Sequence, residues 1–200
     1  IHLLLRSSWQ TEECNIKVID NFLQWEDFLR INNLMLSPKF SWFYNSFVDD
    51  EYGEDGKKYQ LTHTFYKQPD GKSEHIHILN PLFKKLNAQL LVRVKANMNP
   101  KSVDRELGVL HRDVKYDCNT AIYYINSNNG YTEFEDGTKV ESVENRVVIF
   151  NSNMLHTGRN CTDENVRVLI NLNYFTRIKN PGINSPAFKK FMADRGMLYK

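Results

Sequence analysis

The stretch LHRDVKYDCNTAIYYIN, residues 110–126, decides the fold. Its second half, NTAIYYIN (119–126), is a run of β-branched and aromatic residues ending in turn formers, the composition of a buried strand. Working outward, GVLHRDV (108–114), GYTEFEDGTKV (130–140), RVVIFNS (146–152) and NVRVLINLNYF (165–175) read as strands as well, separated by Gly, Asn and Asp turns. Upstream, LTHTFYK (61–67) is β-like, PLFKKLNAQ (81–89) a short helix, and LLVRVKANMNP (90–100) alternates apolar and polar as a strand does. Strands without long helices between them predict an antiparallel sandwich or barrel. The fold class is therefore mainly β with flanking helices (α+β), the N-terminal helices covering one sheet.

Those helices are announced early. Ile16, Val18 and Ile19 suggest a short strand, Asp20 or Asn21 a helix cap, and Trp25, Phe28, Leu29 and Leu36 one buried stripe. The run DDEYGEDGKK (49–58) reads as an exposed loop long enough to serve as a lid. Residues 1–14 begin IHLLLRSSWQ, without Met, and read as a fragment remnant carrying no function; the whole of 1–200 is expected to be a single domain.

Composition narrows the function. A net charge of +2 with no long basic run gives no footprint for nucleic acid, and no apolar run approaches the length of a membrane span. Small molecules or a protein segment are the expected partners. Cys14, Cys118 and Cys161 are widely spaced and form no C-x-x-C, which argues against a disulfide framework and a structural zinc site, so a reducing cytoplasm is expected.

His111-Arg112-Asp113 looks like the H-R-D of a kinase loop, but the Asn that should stand five residues after the Asp is Cys118, and Asn119 arrives one position late. Neither a G-x-G-x-x-G loop nor a D-F-G accompanies it. The His-x-Asp has another use. On a strand, residues two apart share a face, so His111 and Asp113 can offer an imidazole and a carboxylate to one ion. His156, after the apolar run VVIF (147–150), is the third ligand that an antiparallel sandwich could bring alongside. Two histidines and a carboxylate leave three coordination positions open, the arrangement of non-haem Fe(II) oxygenases. Arg167, eleven residues past His156, stands in a strand otherwise made of Val, Leu, Ile and Asn, with no acidic neighbour in that strand. A guanidinium in such a place must be paired, and its fork matches a carboxylate.

With these residues in hand, the chain from about 16 to 175 resembles the Fe(II)- and 2-oxoglutarate-dependent dioxygenases, in their prolyl 4-hydroxylase-like branch. AIYYIN (121–126) followed by GYTEF (130–134) is similar to the family's tyrosine-rich strand and its G-G-x-T-x-F turn, with Gly130 in the first glycine's place and Tyr131 in the second's. The resemblance implies a double-stranded β-helix (jelly roll, cupin-like) core over about 90–176. It implies His111, Asp113 and His156 as iron ligands and catalytic centre, Arg167 on the distal carboxylate of 2-oxoglutarate, and Tyr124 helping to hold that carboxylate. Many relatives have Tyr-Pro where this chain has Asn99-Pro100, so Asn97 or Asn99 is expected to supply that cosubstrate hydrogen bond. The implied cofactors are Fe(II), 2-oxoglutarate and dioxygen, with ascorbate as reductant in vitro. The implied reaction hydroxylates a C–H bond and releases succinate and CO2. A peptidyl proline is the first substrate expected, a free amino acid or other small metabolite the next. The alternatives are a cupin-like metalloprotein that does not use 2-oxoglutarate and a catalytically silent jelly-roll binding module.

Outside the motif, His63, His75 and His77 read as surface or structural residues, Arg93 as a structural ion-pair partner that could face the pocket, and Arg112 as pointing away from the ligands.

Overall fold

The computed structural model describes residues 16–46, 59–67, 71–103, 109–176 and 186–194. The elements, in chain order, are β1 (Lys17–Ile19), α1 (Trp25–Met35), β2 (Phe43–Asn45), β3 (Gln60–Lys67), β4 (Gly71–Lys72), a 3-10 helix (Glu74–Leu79), α2 (Asn80–Leu86), β5 (Ala88–Pro100), β6 (Asn119–Tyr124), β7 (Tyr131–Phe134), β8 (Lys139–Glu141), β9 (Val147–Asn151), β10 (His156–Arg159), β11 (Val166–Thr176) and α3 (Pro186–Ala193). The lid expected at 49–58 lies outside the described residues.

All pairing is antiparallel, in two sheets. The larger runs β1-β9-β6-β11-β5-β3-β2, with β4 added to β3, and the smaller runs β10-β7-β8. They are the two walls of a jelly roll, as expected. The strand β11 shows how one sequence serves both sides of the larger wall. Val168, Ile170, Leu172 and Tyr174 point outward into a core shared with Phe28, Ile31 and Met35 of α1 and Leu79 and Leu82 below them. Arg167, Leu169, Asn171 and Asn173 alternate with these and point to the inner face. Burying so many apolar groups on the outer face, at roughly 1.5–3 kcal/mol per large side chain, lets the inner face carry polar residues. No helix among the described residues is long and apolar enough to cross a membrane.

Two local expectations are corrected. Trp25 and Leu36 are 49% and 45% exposed, while Phe28, Ile31 and Met35 are buried. The buried row of α1 thus runs 28, 31, 35, and the two misjudged residues sit where the helix ends and the apolar periodicity no longer binds them. Neither Asp20 nor Asn21 caps α1, whose N-cap is Gln24 with no side-chain bond. Asp20 instead pairs with Arg146. The chain entering α1 is pinned by buried Asn145, whose carboxamide accepts from Leu23 N (2.9 Å), donates to Leu23 O (3.0 Å) and accepts from the Tyr123 hydroxyl (2.7 Å).

A third correction bears on the site. GVLHRDV is not a strand: residues 109–118 are bends, with a single bridge between His111 and His156. Val109 and Leu110, the apolar residues that suggested a strand, are exposed. GYTEFEDGTKV proves to be the β7–β8 hairpin, closed by the Asp136 side chain accepting from Thr138 N and by Gly137 at φ 84°.

Candidate metal and dicarboxylate site

His111, Asp113 and His156 converge. One ligating atom of each lies within 4.8 Å of the others, the only such group among the described residues. The two-apart strand rule is not what assembles them. The His111 amide donates to His156 O at 3.0 Å and the His156 amide to His111 O at 3.1 Å, so the histidines meet as a bridged pair. Their rings stand 5.1 Å apart. Each imidazole is fixed from behind by a backbone carbonyl, Val109 O on His111 Nδ1 (3.0 Å) and Met154 O on His156 Nδ1 (3.2 Å). A carbonyl can only accept, so both Nδ1 atoms carry the proton and both Nε2 lone pairs face inward.

Asp113 is held by Arg93, whose Nη2 donates to Oδ1 at 2.7 Å. Its other oxygen, Oδ2, is buried with no hydrogen-bond partner and lies 3.6 Å from His156 Nε2. Burial would raise this carboxyl's pKa, but the His156 contact and the Arg93 charge outweigh it and hold the group ionised, well below the usual carboxylate range. Arg93 therefore both pairs structurally and faces the pocket. An ionised oxygen without a donor, next to two imidazole lone pairs, is a set of three donors awaiting a cation.

The triad opens on a cavity of about 730 Å³ whose lining includes Arg93, Lys95, Asn97, Asn99, Thr132, Gly158, Arg167, Leu169 and Asn171. Arg167 is 1% exposed, and no carboxylate among the described residues forms an ion pair with it. Its Nε donates to Ser142 Oγ (2.8 Å), its Nη2 to Thr132 Oγ1 (3.2 Å), and its guanidinium lies 5.6 Å over the Tyr124 ring. Burial pulls its pKa down; Tyr124 and Cys161 work in the other direction. Two glycines give it room. A Cβ on Gly158 would sit 3.3 Å from Nη1, and one on Gly130 would meet Arg159 O and Arg167 Cδ at 2.7 Å each. Gly158 is two residues from His156 on β10, so the residue that borders the guanidinium and the one that offers a metal donor stand roughly 7 Å apart along one strand.

The other expected site residues are placed as follows. Asn97 and Asn99 line the cavity from β5, opposite Leu169 and Arg167 of β11, and Asn97 Oδ1 is buried without a partner. Tyr124 stands behind Arg167, not among the lining residues, and its phenol donates to Thr132 Oγ1 (2.8 Å). Its hydroxyl pKa is raised by burial, with the Arg167 charge opposing. Arg112 is exposed and donates to Asn153 O at 2.7 Å. His63 is buried, bridging Ser41 O (2.7 Å) and Ser73 Oγ (2.8 Å) in a structural role, and burial lowers its pKa. Sequence reading missed Thr132 and Ser142, which hold the guanidinium, and Asn171, whose buried Oδ1 is also unpartnered. Thr132 lay in the quoted turn motif; Ser142 offered no signal.

No family model and no curated protein sequence matches the chain. Solved structures do. A 2OG-Fe(II) oxygenase family oxidoreductase from Burkholderia pseudomallei matches 80% of this chain and 84% of its own, with TM-score 0.59 and 12% identity. A Pseudomonas putida prolyl-4-hydroxylase matches 82% of this chain and 94% of its own, with TM-score 0.53 and 12% identity. A prolyl hydroxylase from Trichoplax adhaerens, solved with a hypoxia inducible factor oxygen degradation domain peptide, matches 82% and 84%, with TM-score 0.52 and 17% identity. The resemblance read in the sequence holds at the level of structure: this chain has the fold of the 2OG-Fe(II) oxygenases, and prolyl hydroxylases are among the solved structures that share that fold.

Proposed function

We propose that the protein is a single-domain Fe(II)- and 2-oxoglutarate-dependent oxygenase that hydroxylates a C–H bond and releases succinate and CO2. The observation that carries this reading is Arg167: a desolvated cation without a described anionic partner, facing the same cavity as three metal donors. A cupin-like metalloprotein without 2-oxoglutarate would have no use for it, and a silent binding module no use for the orphaned Asp113 Oδ2.

The residues fit the implied groups. His111 and His156, with Nε2 lone pairs inward, and the ionised Asp113 suit a divalent iron. When bound, iron and 2-oxoglutarate activate dioxygen and oxidise the substrate, and the protein holds the parts in place. Arg93 keeps Asp113 aimed and charged. Arg167 anchors the distal carboxylate through a charge-assisted fork, itself braced by Ser142 and Thr132. Tyr124 serves that carboxylate indirectly, through Thr132 and beneath the guanidinium. The free carboxamide oxygen of Asn97, with Asn99 beside it on the same face of β5, takes the place of the tyrosine that relatives carry.

The prolyl-peptide substrate expected from the sequence finds support in the named activity of two fold neighbours, which is theirs. A reducing cytoplasm agrees with free, buried Cys118 and Cys161. The test is succinate release from 2-oxoglutarate with Fe(II) and ascorbate. It should occur in the parent and vanish in Asp113→Ala, with the circular-dichroism spectrum retained. Equal release by both proteins would remove the triad from the reaction.

A further inference from the structure

Arg93 and Asp113 make half of the contact open to them. A guanidinium commonly meets a carboxylate through two parallel hydrogen bonds. Here one is made, Nη2 to Oδ1 at 2.7 Å, while Arg93 Nε and Asp113 Oδ2 are both buried and both without a partner. An unsatisfied donor and an unsatisfied acceptor within one ion pair are costly, so the single-point grip has to be explained by what it leaves free. Oδ2 is left for a metal ion. Oδ1 is withheld from it.

Withholding it matters, because either oxygen is placed to ligate. Oδ2 lies 3.6 Å from His156 Nε2 and Oδ1 4.0 Å from His111 Nε2, so both border the space between the two imidazoles. A carboxylate in that position can hold an ion with one oxygen or clasp it with two. On a six-coordinate ion, two imidazoles and one oxygen leave three positions, enough for an α-keto acid bound through two oxygens and for one ligand more. Two imidazoles and both carboxylate oxygens leave only the positions that the α-keto acid itself fills. Arg93 is fixed firmly enough to decide between these. It stands on β5, paired with β11 on one side and β3 on the other, whereas Asp113 lies on the bends of 109–118 outside both sheets. The donor is set by the wall, and the carboxylate turns to suit it.

We infer that Arg93 is a positioning residue that makes Asp113 a one-oxygen ligand and thereby keeps a coordination position free beside the cosubstrate. The inference rests on the oxygenase reading above. It goes beyond holding the carboxylate in place: the arginine sets how many of the ion's positions the protein itself occupies.

The experiment uses the full chain with Mn(II) as the probe, because each water bound directly to Mn(II) speeds the relaxation of bulk water protons. Water is counted on Mn(II) alone and again with 2-oxoglutarate, whose binding is followed separately by calorimetry. The parent should hold about three waters on Mn(II) alone and about one with 2-oxoglutarate. Arg93→Met, prepared with Mn(II) present and checked by circular dichroism, should hold about two and then none, while binding Mn(II) no more weakly than the parent. Adding Asp113→Asn to Arg93→Met should restore the water seen with 2-oxoglutarate, since a carboxamide ligates through its single oxygen. A residue that only supported the fold would lower Mn(II) affinity without changing the count, and Asp113→Asn would not rescue its loss. A crystal structure of the Mn(II)-loaded parent decides the matter even where Arg93→Met does not fold: Nη2 should remain on Oδ1, with Oδ2 alone on the ion. The inference is overturned if both oxygens touch the ion in that structure, if Arg93→Met keeps the parent's water count, or if the double variant restores no water. Failure of the parent to bind 2-oxoglutarate would count against the oxygenase reading instead, and the counts on Mn(II) alone would still decide the role of Arg93.

Discussion

Replacing Arg167 by Met separates the dicarboxylate reading from every other use of the triad. The guanidinium makes two neutral side-chain bonds, to Ser142 at 2.8 Å and Thr132 at 3.2 Å, and no described ion pair. Its charge is thus uncompensated within the described protein, and a ligand's carboxylate would gain the full value of a desolvated fork. Charged hydrogen bonds contribute about 1.5–3 kcal/mol each, so two predict a loss of roughly 3–6 kcal/mol in 2-oxoglutarate binding. That is on the order of a hundredfold to ten-thousandfold in Kd. Fe(II) affinity should hardly move, because no metal donor touches Arg167. Stability should change little as well: Ser142 loses a partner at about 1–2 kcal/mol, and an expensive buried charge is removed at the same time. Anaerobic titrations of Fe(II) and of 2-oxoglutarate, read separately, give both numbers. An unchanged 2-oxoglutarate Kd, or a parallel loss of iron, would refute the assignment and leave Arg167 a structural residue.

Three further outcomes follow from the packing. Gly130→Ala puts a methyl group within 2.8 Å of three atoms, among them Arg159 O and Arg167 Cδ. It should cost about 1–3 kcal/mol and weaken 2-oxoglutarate through the displaced guanidinium, seen as a lower Tm together with a higher Kd. Asn145→Ala removes three buried hydrogen bonds at a residue with φ 58°, so a loss of about 2–4 kcal/mol in urea unfolding is expected, without effect on iron affinity. Burial pushes the Cys118 thiol up from its ordinary 9.0 to about 11, against a weaker lowering by Ser152. A raised folded-state value means stability fully present below pH 9 and lost as pH climbs through 11, on the order of 2–3 kcal/mol, and Cys118→Ala should flatten that part of the stability curve.

LLVRVKANMNP was legible as a strand by its period of two, and NTAIYYIN and RVVIFNS as short runs of β-branched and aromatic residues bounded by turn formers. The bends at 109–118 were not legible. His111 and Asp113 were rightly paired, but for a wrong local reason, since a single cross-chain bridge does what strand geometry was expected to do. Asp20 and Asn21 looked like caps because their chemistry suits caps. The long-range pull of Arg146 on Asp20 has no trace in local sequence. Ser142 and Asn145 were invisible for the same reason, as their partners lie 25 and 122 residues away.

The bridge between His111 and His156 sets how the metal site can open. Segment 109–118 carries two of the three donors but belongs to neither sheet; it is moored to β10 by one rung of reciprocal amide bonds, to β5 by the Arg93–Asp113 pair, and to the end of β9 and the turn after it by Arg112 on Asn153 O, Asn151 on Asp117 and the bonds between Cys118 and Ser152. Its ties are thus side-chain bonds and single rungs rather than a continuous ladder. An ion gripping His111, Asp113 and His156 would add to them, so metal occupancy and the firmness of this segment become a single thermodynamic quantity. The His111 and His156 amides, each buried in the other's carbonyl, are the two hydrogens whose exchange with solvent would keep time with it.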